Sequence, residues 1–269
     1  MADGFTLDLE YPQNDIAVIR FADPGRQNQL CWAAVCRLAE LLEQCEQEGA
    51  RVVILSSDLP GHWFEHAWLG DLAAGMAGEE TTGDGAGWFR VVRRLSRSRL
   101  VSIAAINGNT CGGGCEIGWS CDLRVAERQA CFSQPEVRVG LIPGMGGVSR
   151  LNALAGRTVA SEMVLCGGWM NAERLYQVGA VNRVVETGQS LDHALEWARE
   201  LVSLPAAALA NCKHCLAEIQ ELPLQQALER EQELFQASAG DAIDIMREQQ
   251  QYYDAGGSTL ASFGKPVSE

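Results

Sequence analysis

Basic residues are scarce in this chain: 21 Lys and Arg stand against 35 Asp and Glu, a formal net charge of −14. Nucleic-acid binding needs clustered positive charge along one face, and this balance argues against it. Long apolar runs are also missing. The longest, such as Val101–Ile106, have the length of a strand and are far too short to cross a bilayer, so no membrane partner is expected. The opening residues, Met1-Ala2-Asp3-Gly4-Phe5, are acidic, with no basic flank and no secretory apolar stretch. A cytoplasmic location is the expectation. Without internal repeats or low-complexity linkers, 269 residues that are 47% hydrophobic suggest one large domain, or one domain with a helical appendage.

Cysteine is plentiful, with ten in the chain. Most lie inside apolar helix or strand patterns, which in a cytosolic protein marks them as small buried hydrophobes kept reduced. The pair in Cys212-Lys213-His214-Cys215 has no matching second pair to complete a metal site. It is read as structural helix, and no metal or redox cofactor is implied. Arg90, Arg93, Arg94, Arg97 and Arg99 fall at near-helical spacing. They read as a solvated helix face, with contact to a phosphate-bearing ligand as the alternative.

Hydrophobic periodicity predicts a hairpin from Phe5–Tyr11 and Ile16–Phe21, a helix over Leu30–Glu48 and buried strands at Val52–Leu55 and Val101–Ile106. A brief helix over Asp71–Met76 is followed by a Gly-, Thr- and acid-rich stretch, Gly75 to Gly87, expected to be a mobile loop. Trp88–Leu95 resumes as helix. Leu123–Ala126, Ala130–Ser133 and Val181–Val185 read as short strands. Beyond Gly147 the pattern is mainly helical: Val148–Leu154, Val159–Leu165, Ala172–Val178, Leu191–Leu204, Ala206–Ile219 and Leu224–Ala237. Strands alternating with helices, followed by a helical last third, imply an α/β class with right-handed crossovers. The expected division is a core over 1–199 and a helical region over 200–269, either a cap or a subunit contact.

The most informative stretch runs from Asn107 to Arg150. Gly112-Gly113-Gly114 follows a strand and opens into a helix carrying Glu116. Glycine lets a ligand approach backbone N–H groups without a Cβ in the way. A helix start aims unpaired N–H donors and partial positive charge at that ligand, which suits a developing oxyanion. A second carboxylate, Glu136, follows in Gln134-Pro135-Glu136. An anion-stabilising loop with two acid/base candidates reads as an enzyme.

The ordered set Asn107-Gly108, Gly112-Gly113-Gly114-Cys115-Glu116, Cys121-Asp122, Phe132-Ser133-Gln134-Pro135-Glu136, Gly140-Leu141-Ile142-Pro143-Gly144-Met145-Gly146-Gly147 and Arg150-Leu151 resembles the crotonase (enoyl-CoA hydratase/isomerase) superfamily, and among its members the hydratases. The match is dense over these residues and weaker elsewhere, including the Pro24 to Asn28 entry to the first helix. The resemblance implies a spiral of ββα units, a helical C-terminal oligomerisation region and assembly as a homotrimer or homohexamer. Its substrate would be an acyl-CoA thioester, with coenzyme A present only as part of that substrate.

By resemblance, Gly113 and Ala67 supply the backbone N–H groups of the oxyanion hole. Glu116 activates water, and Glu136 delivers a proton to C2. The segment Trp63-Phe64-Glu65-His66-Ala67-Trp68-Leu69 departs from the family pattern, with His66 in place of glycine and Trp68 in place of aspartate. The hole then requires that His66 adopt suitable backbone angles, histidine being among the residues more tolerant of positive φ. His66, Trp68 and Leu69 are expected at the substrate, and Gly144 beside the catalytic water. Lys265 stands where the family places a lysine near the CoA phosphates. The expected activity is enoyl-CoA hydration to a 3-hydroxyacyl-CoA. The alternatives are another crotonase reaction (isomerase, hydrolase or C–C lyase) or a catalytically silent assembly protein.

Overall fold

The structure, a computed structural model, describes residues 4–259. Lys265 lies outside that range. The hairpin forms as β1 (Thr6–Gln13) and β2 (Ile16–Ala22), antiparallel, with Leu7 opposite Phe21. Helix α1 (Trp32–Gln47) then leads to β3 (Val52–Ser57) and the two-residue β4 (Gly61–His62). After α2 (Leu69–Ala77) and α3 (Ala86–Arg97) come β5 (Val101–Ile106), β6 (Gly108–Cys111) and α4 (Gly113–Ser120). The next turn adds β7 (Leu123–Glu127), β8 (Cys131–Ser133), a 3-10 turn over Glu136–Val139 and α5 (Ser149–Cys166). The last elements are β9 (Trp169–Asn171), α6 (Ala172–Gln177), β10 (Arg183–Val185), α7 (Ser190–Ser203), α8 (Ala206–Ile219) and α9 (Leu224–Asp254).

Three successive strand pairs, β3 with β4, β5 with β6 and β7 with β8, divide between two sheets. The larger has the order β1-β2-β3-β5-β7-β10 and the smaller β4-β6-β8-β9. Apart from the β1–β2 hairpin and the β8–β9 pair, every pairing is parallel. Strands β3 and β5 are buried at all six positions, which is why their sequences are unbroken runs rather than alternating ones. Each of these three turns contributes one strand to each sheet and then helix, a spiral of ββα units. The chain divides into two compact units between Leu204 and Pro205, the second comprising α8 and α9. No helix among the described residues is long and apolar enough to cross a membrane.

Several expectations change. Strands β6 and β9 have no sequence signature: Gly108-Asn109-Thr110-Cys111 is weak in β propensity, and only its neighbours in the small sheet hold it extended. The helix expected to end at Ala237 continues to Asp254 through Ser238 and Gly240. The two helices expected around residues 148–165 are the halves of α5, broken at Gly156, whose φ of 76° is not helical. Cys31, Cys45, Cys111, Cys115 and Cys121 are buried, but Cys166 and Cys212 are exposed.

The segment expected to be mobile is anchored. Asp71 is 1% exposed. Its Oδ2 accepts the Trp32 N–H at 2.6 Å, satisfying the start of α1 where Cys31 has no capping side chain, and it also accepts the Thr82 hydroxyl at 2.6 Å. The Thr82 N–H donates to Oδ1 at 2.8 Å. Gly83 packs so tightly on the backbone of Ala33 that an added Cβ would come within 2.8 Å of its nitrogen. One buried carboxylate thus caps a helix and fixes residues 78–85. Asp71→Ala should cost about 2–4 kcal/mol, because it strips charged hydrogen bonds from buried donors. The checks are a lower urea midpoint and faster proteolysis within residues 78–85; an unchanged midpoint would refute this role.

Candidate active site

The Gly112–Gly114 turn positions the site. Gly112 has φ 48° and ψ −123°, a conformation glycine accepts without strain. A Cβ there would sit 3.1 Å from His66 Cβ and 3.2 Å from Glu136 Oε1, so those two residues flank the turn. At Gly114 a Cβ would overlap the carbonyl oxygen of Phe64, which itself accepts the Thr110 hydroxyl at 2.6 Å. The segment 64–67 consequently lies directly against the start of α4.

Its backbone is held from the other side as well. Leu30 donates to the His66 carbonyl at 2.9 Å, and Trp68 donates to the Leu30 carbonyl at 2.9 Å. In this parallel bridge Ala67 faces Leu30, with both bonds made by its neighbours, so its own N–H is directed away. A Cβ on Gly113 would be 3.4 Å from that Ala67 nitrogen. Gly113 is the first residue of α4, where the N–H has no partner within the helix. Two backbone donors thus stand side by side. His66 is not among the residues with positive φ, so replacing glycine there carries no backbone strain of that kind. Its Nδ1 lies 2.8 Å from the Ala67 carbonyl oxygen; a carbonyl only accepts, so Nδ1 carries the proton.

A cavity of about 470 Å³ opens beside these donors, lined by His66, Ala67, Leu69, Gly113, Glu116, Glu136 and Gly144. Aromatic and aliphatic side chains, including Trp32, Leu72, Met76 and Trp88, form much of its wall. Trp68 is not part of this lining. Its ring lies under the Arg26 guanidinium, 4.8 Å from ring centroid to Arg26 Cζ.

The two glutamates occupy different surroundings. Glu116 is 4% exposed, and its Oε1 accepts the N–H groups of Met145 at 2.6 Å and Gly147 at 2.9 Å. Burial raises its pKa, while those two N–H bonds and the nearby Arg150 pull it back toward ionisation. Glu136 stands on the 3-10 turn, half-buried; burial first, and then the Glu116 charge, push its pKa up to about 7. The sequence reading gives no role to Gln134 or Trp119, yet Gln134, wholly buried, contacts both oxygens of Glu136, and Trp119 contacts Gln134. Arg124, 3% exposed, closes the other end of α4 by donating to the Gly118 and Cys121 carbonyls at 3.2 and 2.7 Å.

Sheets wound turn by turn in ββα units, with paired backbone donors and two carboxylates at one cavity, describe an α/β protein of crotonase fold. The family model described as enoyl-CoA hydratase/isomerase matches residues 12–253, and the chain belongs to that family. It is 38% identical over 146 residues to a short-chain-enoyl-CoA hydratase of Clostridium acetobutylicum, covering 54% of this chain and 56% of that one. It is 36% identical over 166 residues to a carnitinyl-CoA dehydratase of Shigella flexneri, covering 61% and 63%. The chain thus spans little more than half the length of the curated relatives it matches. Among solved structures, an enoyl-CoA hydratase from Bacillus anthracis superposes with a TM-score of 0.81 at 24% identity, over 93% of this chain and 96% of that one. Pseudomonas aeruginosa DspI superposes with a TM-score of 0.79 at 29% identity, over 93% and 94%.

The raised pKa of Glu136 has a thermodynamic consequence. An acid whose folded pKa lies above its unfolded value lowers stability as pH rises from about 4.5 to about 7. Glu136→Gln should therefore match the parent at pH near 4 and exceed it by about 2 kcal/mol at pH near 8. Urea unfolding at several pH values checks this, and a stability gap that stays flat with pH would refute it.

Proposed function

We propose that this chain adds water reversibly across the 2,3 double bond of an enoyl-CoA thioester. The observation that carries the proposal is convergence: Glu116, Glu136, Ala67 and Gly113 all line one largely apolar cavity. In this reading the thioester oxygen accepts from the N–H groups of Ala67 and Gly113, which stabilise the enolate charge that develops there. Glu116 has its Oε1 occupied by two N–H groups, so Oε2 serves the water, taking its proton as the oxygen adds to C3. Glu136, with a pKa of about 7, is available as an acid and protonates C2. Water is thereby divided between C2 and C3, and proton exchange with solvent resets the two carboxyls. Isomerisation needs only one such carboxyl, and the presence of Glu116 at the cavity favours hydration.

The hydratase and dehydratase names of the relatives support the same reaction in its two directions. His66, Leu69 and Gly144 are proposed to contact the acyl-CoA. Residues 205–259 are proposed to mediate a trimer or a dimer of trimers, and the exposure of Leu216, Leu224, Phe235 and Met246 supports this. Sedimentation velocity should then give a trimer or hexamer mass; a monomer at micromolar concentration would refute the assembly.

Loss of the conjugated-thioester absorbance of crotonyl-CoA tests the reaction. Glu116→Gln and Glu136→Gln should each lower kcat by about 10²–10⁴-fold, while acyl-CoA binding is kept. Equal turnover in parent and both variants would overturn the mechanism. A folded parent that binds acyl-CoA without turnover would overturn crotonyl hydration itself.

A further inference from the structure

Gln134 is wholly buried, and its side-chain amide lies between two polar neighbours. On one side is the Glu136 carboxylate, and on the other the indole of Trp119, which is 3% exposed and stacked on Phe132 at a centroid distance of 5.7 Å. An indole N–H can only donate, so the amide oxygen must face Trp119, where it accepts at 3.0 Å. The amide nitrogen is then directed at Glu136, 3.0 Å from Oε1 and 3.1 Å from Oε2. Gly147 leaves room for this arrangement: a Cβ there would come within 2.7 Å of the Gln134 amide.

A free amide beside a carboxyl group can be turned either way. With its nitrogen inward it donates to the carboxylate and favours ionisation. With its oxygen inward it pairs only with the protonated acid and disfavours ionisation. The two orientations differ by a half-turn of one terminal torsion, which has low intrinsic preference. The choice is made at the far side of the amide.

We propose that Trp119 is a positioning residue for Glu136: by accepting no alternative orientation of Gln134, its indole N–H makes that amide a permanent donor to the carboxylate. Trp119 does not line the cavity and in this role acts through Gln134. The consequence is that Glu136 is held in one rotamer and poised between its two protonation states, counteracting the burial that would otherwise keep it neutral. The kinetic meaning rests on the reading of Glu136 as the acid of hydration; the structural effect does not.

Other groups also face Glu136. They are Glu116 and the Cys115 thiol from α4 and His66 across Gly112, whereas Arg138, on the same 3-10 turn, donates instead to the Gly167 and Cys166 carbonyls at 2.9 and 3.0 Å. None of them is a partner in the Trp119–Gln134 hydrogen bond.

The test reads Glu136 directly, by pH-difference infrared spectroscopy of the protonated carboxyl stretch, assigned through its loss in Glu136→Gln. Trp119→Phe should raise the titration midpoint by about one pH unit. Gln134→Met should raise it similarly, and the double variant should add little to either single one. An unchanged midpoint in folded Trp119→Phe, or additive shifts, would overturn the proposal. A second measurement uses the unmodified protein: the Trp119 indole proton resonance should titrate with the Glu136 midpoint and lose that transition in Glu136→Gln. Absence of the transition overturns the proposal even where Trp119→Phe does not fold. Because neither readout needs turnover, a protein that shows the shift without hydrating crotonyl-CoA loses the proposed function and keeps this inference. In an active enzyme, the Glu136-controlled limb of the kcat profile should move by the same interval as the infrared midpoint.

Discussion

The site depends on one close approach, that of the Phe64 carbonyl to the α carbon of Gly114. Because nothing protrudes from Gly114, the segment 64–67 can lie on the first turn of α4, and only then do the N–H groups of Ala67 and Gly113 become neighbours. The carbonyl at the contact is buried and would be costly unpaired; Thr110, from the unpromising strand β6, supplies its hydrogen bond. The other side of the segment is fixed by Asn28. Its side-chain nitrogen donates to the Trp63 carbonyl at 2.9 Å and to Ser57 Oγ at 2.8 Å, and its own carbonyl accepts the Glu65 N–H at 3.0 Å. That density of bonds accounts for its φ of 60°, unusual outside glycine.

The two carboxylates are differentiated by what donates to them. Glu116 meets rigid backbone N–H groups, from Met145 and Gly147, whose direction the loop fixes. Glu136 meets a side-chain amide, whose direction another side chain must fix. Gly147 serves both, as donor to Glu116 and as the gap that admits Gln134. A change at this one glycine would therefore disturb the surroundings of both acids together.

Legibility in the sequence followed the strength of local signals. The buried strands β3 and β5, the helix α1 and the glycine-rich turn were readable because burial on both faces, helical periodicity and a run of three glycines each leave a distinct pattern. Strands β6 and β9 were not, since Asn109 and Asn171 are poor strand formers held in place by partners distant in sequence. The extension of α9 past Gly240 was hidden for the opposite reason, a local helix breaker tolerated at a cost of about 1 kcal/mol. Glu116 and Glu136 were nominated by their motifs, whereas Asp71 and Trp119 carry no motif at all. What they do depends on residues brought together only by folding, Thr82 and Trp32 in one case and Gln134 in the other.

The same logic explains why the segment Glu65-His66-Ala67-Trp68 could depart from its family pattern. The proposed hole uses backbone N–H groups, so the side chains there are constrained only by the space around them. Glu65 turns inward, accepting the Cys111 thiol at 3.2 Å and pairing with His62 at 3.0 Å. Trp68 turns onto Arg26, and His66 folds back to donate to the Ala67 carbonyl. Both replacements, His66 and Trp68, find partners on a backbone that Asn28, Leu30 and Thr110 hold. Of these side chains only His66 lines the cavity, so the segment accommodates them largely outside the space that the donors face.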